Sequence, residues 1–335
     1  MHNRVMSAIA AAPAAARDEL VIETFALRRV FKTRGAEVEA VAGVDLKVPG
    51  GQIFGFLGPN GAGKTTTLRM LSTLLAPTSG EARVAGFDLR REPARVRQQI
   101  GYVGQLGGAD PQVRGRSELI LQGRLYGLSK ARAAERAEEL IHTMELEACA
   151  DRRVSTYSGG QKRRLDIAIG LMHGPTLLYL DEPTTGLDPQ SRAHLWDEVR
   201  ALRAGGTSVF LTTHYLEEAD ALCDRLAIID QGRIVAEGSP DELKRQVAGD
   251  VVTMNVSGDQ EPVLELLRPQ PFVREAGIEH GQLRIYVERG ETAMPAILRL
   301  LDSASINLEA ISLSRPTLDD VFLRQTGRPL REVAE

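Results

Sequence analysis

Gly58-Pro59-Asn60-Gly61-Ala62-Gly63-Lys64-Thr65 follows an unbroken apolar run at residues 53–57 and opens a helical pattern at Lys64. A buried strand, a glycine-rich turn and a helix start are what a phosphate-binding loop requires. Glycines let backbone N–H groups approach the phosphates, and the positive end of the helix favours their charge. In the loop pattern G-x-x-x-x-G-K-[ST], Lys64 is placed for the β- and γ-phosphates and the Thr65 hydroxyl for Mg²⁺, with Asn60 and Thr66 beside them. This stretch implies a P-loop α/β fold with a parallel sheet.

The strands expected to complete that sheet lie downstream. Residues 177–180, 208–212 and 226–230 are short apolar runs separated by helical segments, the order that builds parallel α/β layers. The first of them ends on Asp181-Glu182. A carboxylate at a strand end behind a phosphate loop can enter a Mg²⁺ shell, and the next one can orient water. Upstream, residues 20–25 and 41–48 read as strands with a turn over residues 32–39 between them, and the first helix is expected over residues 64–75. Ala137, Leu140, Ile141 and Met144 fall at helical spacing after a Ser129 start signal, and residues 158–172 read as another helix.

That last helix begins with Ser158-Gly159-Gly160-Gln161, a hydroxyl and free first-turn N–H groups forming an anion site. Taken with the phosphate loop and the acidic strand end, residues 20–244 resemble an ABC (ATP-binding-cassette) ATPase, with Tyr157 where leucine is commonest. The resemblance implies a fold with a parallel core sheet, an antiparallel β subdomain and a helical signature subdomain, binding ATP and Mg²⁺. It further assigns Phe31 to adenine stacking, Gln105 to the metal and to coupling, Asp188 to the D-loop and His214 to the γ-phosphate. Metal ligands are then Thr65, Gln105 and Asp181, and the catalytic set is Glu182, His214 and Lys64. By the same resemblance, Ser158–Gln161 completes the ATP site of a facing copy, so a head-to-tail homodimer is implied.

The composition shifts near residues 244–250. Beyond it, strands at 251–256, 272–275, 283–287 and 306–313 with helices at 261–267 and 292–301 suit a small ferredoxin-like α+β unit. A last helix, residues 318–325, follows Pro316. The expected organisation is a disordered tail at 1–19, an ATPase domain at 20–245 and a C-terminal dimerisation or regulatory domain at 246–335. The closing run Ser314-Arg315-Pro316-Thr317-Leu318-Asp319-Asp320-Val321-Phe322-Leu323 is similar to the end of daunorubicin-resistance-type drug-exporter ATPases. So are Gly101-Tyr102-Val103-Gly104-Gln105 and Thr212-Thr213-His214-Tyr215-Leu216-Glu217-Glu218. His280 and Glu279 are expected in a turn without partners.

Composition narrows the classes further. No apolar run approaches the roughly 18–20 residues that span a bilayer. The resemblance therefore implies a separate integral-membrane permease, with this chain peripheral at the cytoplasmic face of the cell membrane. The net charge of -4 gives no global attraction to nucleic acid, and none is expected as a partner. Lys162-Arg163-Arg164 reads as a solvated helix face or phosphate-adjacent surface rather than a nucleic-acid site. Cys149 and Cys223 lack metal spacing and read as neutral thiols. A DNA-repair ABC enzyme would carry a coiled-coil or zinc insert between Lys64 and Ser158, and a translation factor two cassettes; this chain has neither. An importer subunit, or a lipid or polysaccharide exporter, stays open beside drug export.

Overall fold

The computed structural model describes residues 19–33, 35–246, 249–279, 281–314 and 316–328. The tail expected over residues 1–19, Glu19 apart, lies outside the described residues, as does His280. Two compact units form, one ending at Glu237 and the other beginning at Gly238.

In chain order the first unit contains β1 (Leu20–Thr33), β2 (Ala36–Pro49), β3 (Ile53–Leu57), α1 (Lys64–Leu71), β4 (Ser79–Val84), β5 (Phe87–Asp88), α2 (Pro93–Gln99) and β6 (Ile100–Val103). It continues with α3 (Gly115–Leu125), α4 (Lys130–Thr143), α5 (Gly159–Leu171), β7 (Leu177–Asp181), α6 (Pro189–Ala204), β8 (Ser208–Thr213), α7 (Leu216–Leu222), β9 (Arg225–Asp230) and β10 (Arg233–Gly238). The central sheet has the order β10-β9-β3-β8-β7-β6. From β9 to β6 every neighbouring pair is parallel. Every residue of β3, β7 and β8 is buried, which is why these strands read as continuous apolar runs rather than alternating ones. Phe210 at the centre packs against Phe54, Phe56 and Tyr179 with ring centroids 5.5–5.7 Å apart. A second, antiparallel sheet has the order β2-β1-β4-β5.

Two expectations need correction. The turn expected over residues 32–39 is shorter: β1 runs to Thr33 and β2 starts at Ala36, a long hairpin with Phe31 opposite Val38 and Lys32 opposite Glu37. Bulges between Thr24 and Leu27 and between Arg29 and Val30 break the alternation, so no single period marks the strand. The first helix stops at Leu71 rather than residue 75. Thr73 adopts φ 64°, and the N–H groups of Leu74 and Leu75 both turn back to Arg69 O. The middle helix holds as read: Ser129 Oγ accepts from Arg132 N, and Ala137, Leu140, Ile141 and Met144 are buried. Both cysteines are free and buried, and burial pushes the Cys223 thiol up.

On α6, the Glu198 carboxylate is buried with no hydrogen-bond donor to either oxygen among the described residues. His194 Nε2 lies 3.4 Å and Arg164 Nε 3.8 Å from Oε1. Burial, with Glu145 and Asp197 nearby, outweighs Arg164 and pushes the carboxyl up to about 8 from an ordinary 4.5. A carboxyl raised on folding binds more protons folded than unfolded between those values, so stability falls as pH rises through that window. Glu198→Gln is expected to flatten this loss, with melting temperature gaining more at pH 9 than at pH 5.

The second unit contains α8 (Pro240–Gln246), β11 (Asp250–Val256), α9 (Glu261–Leu267), β12 (Val273–Glu279), β13 (Gln282–Val287), α10 (Gly290–Ser303), β14 (Leu308–Ser314) and α11 (Leu318–Thr326). Its antiparallel sheet has the order β12-β13-β11-β14, the ferredoxin-like arrangement. Alternation along β11 sends Val252, Met254 and Val256 into a core with α9 and α10. Val251 pairs with Tyr286 in a separate small cluster. Thr317 and Asp320 form a capping box on α11, and Arg284 bonds Asp320 at 2.7 Å.

Candidate active site

Four neighbouring strands of the central sheet end at one place. β3 runs into the phosphate loop, β8 into His214, β7 into Asp181-Glu182, and β6 into Gly104-Gln105. A crevice outside the carboxyl ends of parallel strands is where α/β sheets bind ligands. Here it is a cavity of about 600 Å³ lined by Asn60, Gly61, Gly63, Lys64, Thr65, Thr66, Gln105, Glu182, Thr185, His214 and Ala40.

Two loop glycines are fixed by space. A Cβ on Gly58 would fall 2.3 Å from Ile229 O. Gly63 caps α1 at φ 105°, and its Cβ would meet Ala40 O at 2.5 Å. The loop folds round Lys64, whose Nζ donates to Gly58 O at 2.6 Å and Pro59 O at 2.9 Å and lies 3.5 Å from Glu182 Oε1. Burial lowers the Lys64 pKa, and the Glu182 charge works against that shift.

Thr65 and Asp181 meet directly: Thr65 Oγ1 donates to Asp181 Oδ1 at 3.0 Å. Thr212 Oγ1 donates to the same oxygen at 2.6 Å. Glu182 is a non-glycine residue at φ 46°, a left-handed conformation that costs on the order of 1–3 kcal/mol unless its surroundings enforce it. Its N–H is held by Thr212 O and Oγ1 at 3.2 and 3.0 Å. Its side chain gathers His214 Nδ1 at 3.3 Å, Gln105 Nε2 at 3.2 Å and Thr185 Oγ1 at 3.3 Å. Hydrogen bonding to His214, then the Lys64 charge, holds the Glu182 carboxyl below the ordinary range, so it is ionised at neutral pH.

Gly58 and Asp181 stand just behind this lining, and Phe31, Ser158–Gln161 and Asp188 also lie off it. Phe31 is on β1 with the Arg29 guanidinium 4.6 Å above its ring and does not line the cavity. Ser158 caps α5 in a capping box: its Oγ accepts from Gln161 N and Gln161 Oε1 accepts from Ser158 N. Asp188 caps α6, accepting from Ser191 N and Oγ at 2.9 and 2.6 Å. A Cβ on Gly160 would touch Ser191 Oγ at 3.2 Å, so the two caps adjoin each other. Gly159 and Gly160 present first-turn N–H groups that the helix itself cannot pair. Tyr157, the departure from leucine, is buried and donates from Oη to Cys149 O at 2.7 Å.

Sequence reasoning missed Thr185 and Thr212. Thr212 reaches Asp181 from 31 positions away, Thr185 lies only three residues after Glu182, and a lone threonine carries no motif. It also put Arg163 on a surface, either a solvated helix face or a phosphate-adjacent one. Arg163 is buried and donates to Pro183 O, Gly104 O and Asp181 O, while Lys162 beside it is exposed.

A phosphate loop, paired strand-end acids, a bridging glutamine and a histidine around one cavity, with a capped Ser-Gly-Gly-Gln helix beside it, define an ATP-binding cassette. The chain belongs to the ABC transporter family. The ABC transporter family model matches residues 41–185, and that of the ATP-binding protein DrrA1-3-like C-terminal domain matches residues 238–326. The chain is 45% identical over 310 residues to the daunorubicin resistance ATP-binding protein DrrA2 of Streptomyces coeruleorubidus, covering 91% of this chain and 96% of the relative. It is 38% identical over 295 residues to the linearmycin resistance ATP-binding protein LnrL of Bacillus subtilis, covering 87% and 95%. A dimeric bacterial ABC transporter cassette superposes with a TM-score of 0.60 at 25% identity, covering 65% of this chain and 98% of the cassette.

Proposed function

We propose that this chain is the ATP-hydrolysing subunit of an exporter that moves hydrophobic drugs or antibiotics through a separate membrane permease. The observation that carries the ATPase reading is the convergence of Lys64, Gln105, Glu182 and His214 on one cavity at four adjacent strand ends. Lys64 and the loop N–H groups hold the β- and γ-phosphates. Glu182 orients the attacking water, and His214 contacts the γ-phosphate. Thr65, Asp181 and Gln105 offer hydroxyl, carboxylate and amide oxygens, hard donors suited to Mg²⁺. Mg²⁺ held there neutralises phosphate charge. Phe31 stacks the adenine, with Arg29 on its other side.

Ser158, Gly159, Gly160 and Gln161, with Asp188, serve the nucleotide of a facing copy, so ATP is sandwiched in a head-to-tail homodimer. Its closed form is held by ATP and released by hydrolysis. The drug cargo is inferred from the names of the relatives. Among the described residues no helix is long and apolar enough to cross a membrane. The C-terminal unit stabilises the dimer or regulates it.

Co-expression with a candidate membrane permease tests the reading. The two chains are expected to co-purify, and cells carrying both to export daunorubicin only when Glu182 is intact. Purification as a lone soluble ATPase, with no membrane partner and no efflux, would refute transport. Full ATPase cooperativity and transport in a chain stopped before Asp250 would refute the role of the C-terminal unit.

A further inference from the structure

Helix α5, which starts at the signature, grips the active site from behind. Arg163 sits one turn in and is only 7% exposed. Its fork of donors reaches three backbone carbonyls on two separate segments: Nη2 to Asp181 O at 3.0 Å, Nε to Pro183 O at 2.9 Å and Nη1 to Gly104 O at 2.7 Å. The first two flank Glu182 on either side, and the third precedes Gln105. Between those anchors lie the left-handed φ of Glu182 and the Gln105–Glu182 hydrogen bond.

Asp166, one turn further on the same helix, holds the other end of the glutamine loop. Its Oδ1 accepts from Gly108 N at 2.9 Å and Ala109 N at 3.3 Å. Gly107 is pressed so close that a Cβ there would lie 2.5 Å from Asp166 Oδ2. One helix face thus donates to one end of residues 104–109 and accepts from the other. A planar guanidinium can serve three acceptors at once; a lysine, as a point donor, cannot reproduce the fork.

We propose that Arg163 and Asp166 are positioning residues for hydrolysis. They fix Gln105 against Glu182, enforce the backbone conformation of Glu182, and tie the signature helix to the carboxylate of the same subunit. A displacement of α5, whose N-terminus meets the facing copy's nucleotide, is then transmitted to this subunit's own Glu182. The inference rests on the roles given to Glu182 and Gln105 above.

The test uses the full-length chain with Mg-ATP, comparing Arg163→Met, Arg163→Lys and Asp166→Ala. A misplacement of about 1 Å at a reacting group costs on the order of 10²-fold, so Arg163→Met is expected to lower kcat by about 10- to 100-fold. KM and the affinity for a fluorescent ATP analogue should stay within about threefold, because the phosphate loop is untouched. Arg163→Lys should recover only part of the loss. Amide exchange should quicken over residues 104–109 in Arg163→Met and Asp166→Ala, with β3 and β8 still protected. Unchanged kcat, or loss of kcat together with affinity and protection of β3 and β8, overturns the proposal. If Arg163→Met does not fold, Asp166→Ala decides, since it removes only the two loop bonds; wild-type kcat there overturns it. Glu182→Gln, run alongside, separates the layers. If it keeps turnover, the underlying reading fails and takes this one with it. If it loses turnover while Arg163→Met does not, only the proposal falls.

Discussion

Glu182→Gln is expected to bind ATP, cease turnover and accumulate as an ATP-bound dimer. The amide keeps the shape of the side chain and its contact with Gln105, but loses the negative charge that His214 and Lys64 face at 3.3 and 3.5 Å. Loss of a group in this role typically lowers a rate by about 10²–10⁴-fold. His214 and Lys64 already hold the carboxyl below the ordinary range, so it stands ionised between them. The same shift sets a pH signature. Ionised Glu182 persists as pH falls into the ordinary carboxylate range, so its protonation is expected to cut turnover only below that range. Steady-state turnover, with size-exclusion chromatography in excess ATP, checks both halves. Wild-type turnover, or lost turnover without a dimer, contradicts the assignment.

Lys64→Ala strikes earlier in the cycle and is expected to abolish measurable ATP binding. The ammonium is the one side-chain cation lining the phosphate end of the cavity among the described residues. Hydrogen bonds to charged groups contribute about 1.5–3 kcal/mol each, so losing contacts to two phosphates weakens Kd by roughly 10²–10⁴-fold. The variant also loses the bonds to Gly58 O and Pro59 O that keep the loop curled. Melting temperature measured beside a nucleotide titration separates a collapsed loop from a missing phosphate contact. Near-normal affinity in a folded variant refutes the phosphate role.

The segments legible in the sequence were those whose chemistry is local. The phosphate loop, Asp181-Glu182 and the Ser158 cap each depend on residues within a few positions of one another. β3, β7 and β8 were legible because strands buried on both faces leave uninterrupted apolar runs. What escaped depends on what lies opposite. β4 and β10 expose much of their surface and show no apolar run. The bulged β1–β2 hairpin has no single period to read. Arg163 looks like any basic residue on a helix until the carbonyls of Asp181, Pro183 and Gly104 are brought over it. Thr212, two residues before His214, is an ordinary strand threonine until Asp181 arrives beside it.

The strand order carries a consequence for how the protein is made. β3 and β7 are not neighbours; β8 lies between them and pairs with both. Its residues, Ser208–Thr213, emerge from the ribosome some 150 positions after the phosphate loop. Until then the nascent chain has every phosphate-loop residue but a sheet missing its middle strand, with no fixed distance between Lys64 and Glu182. Such non-local closure is slow to form. The complete site, with Glu182 and His214 set against the phosphate loop, should therefore arise only after β8 has been made and inserted between β3 and β7.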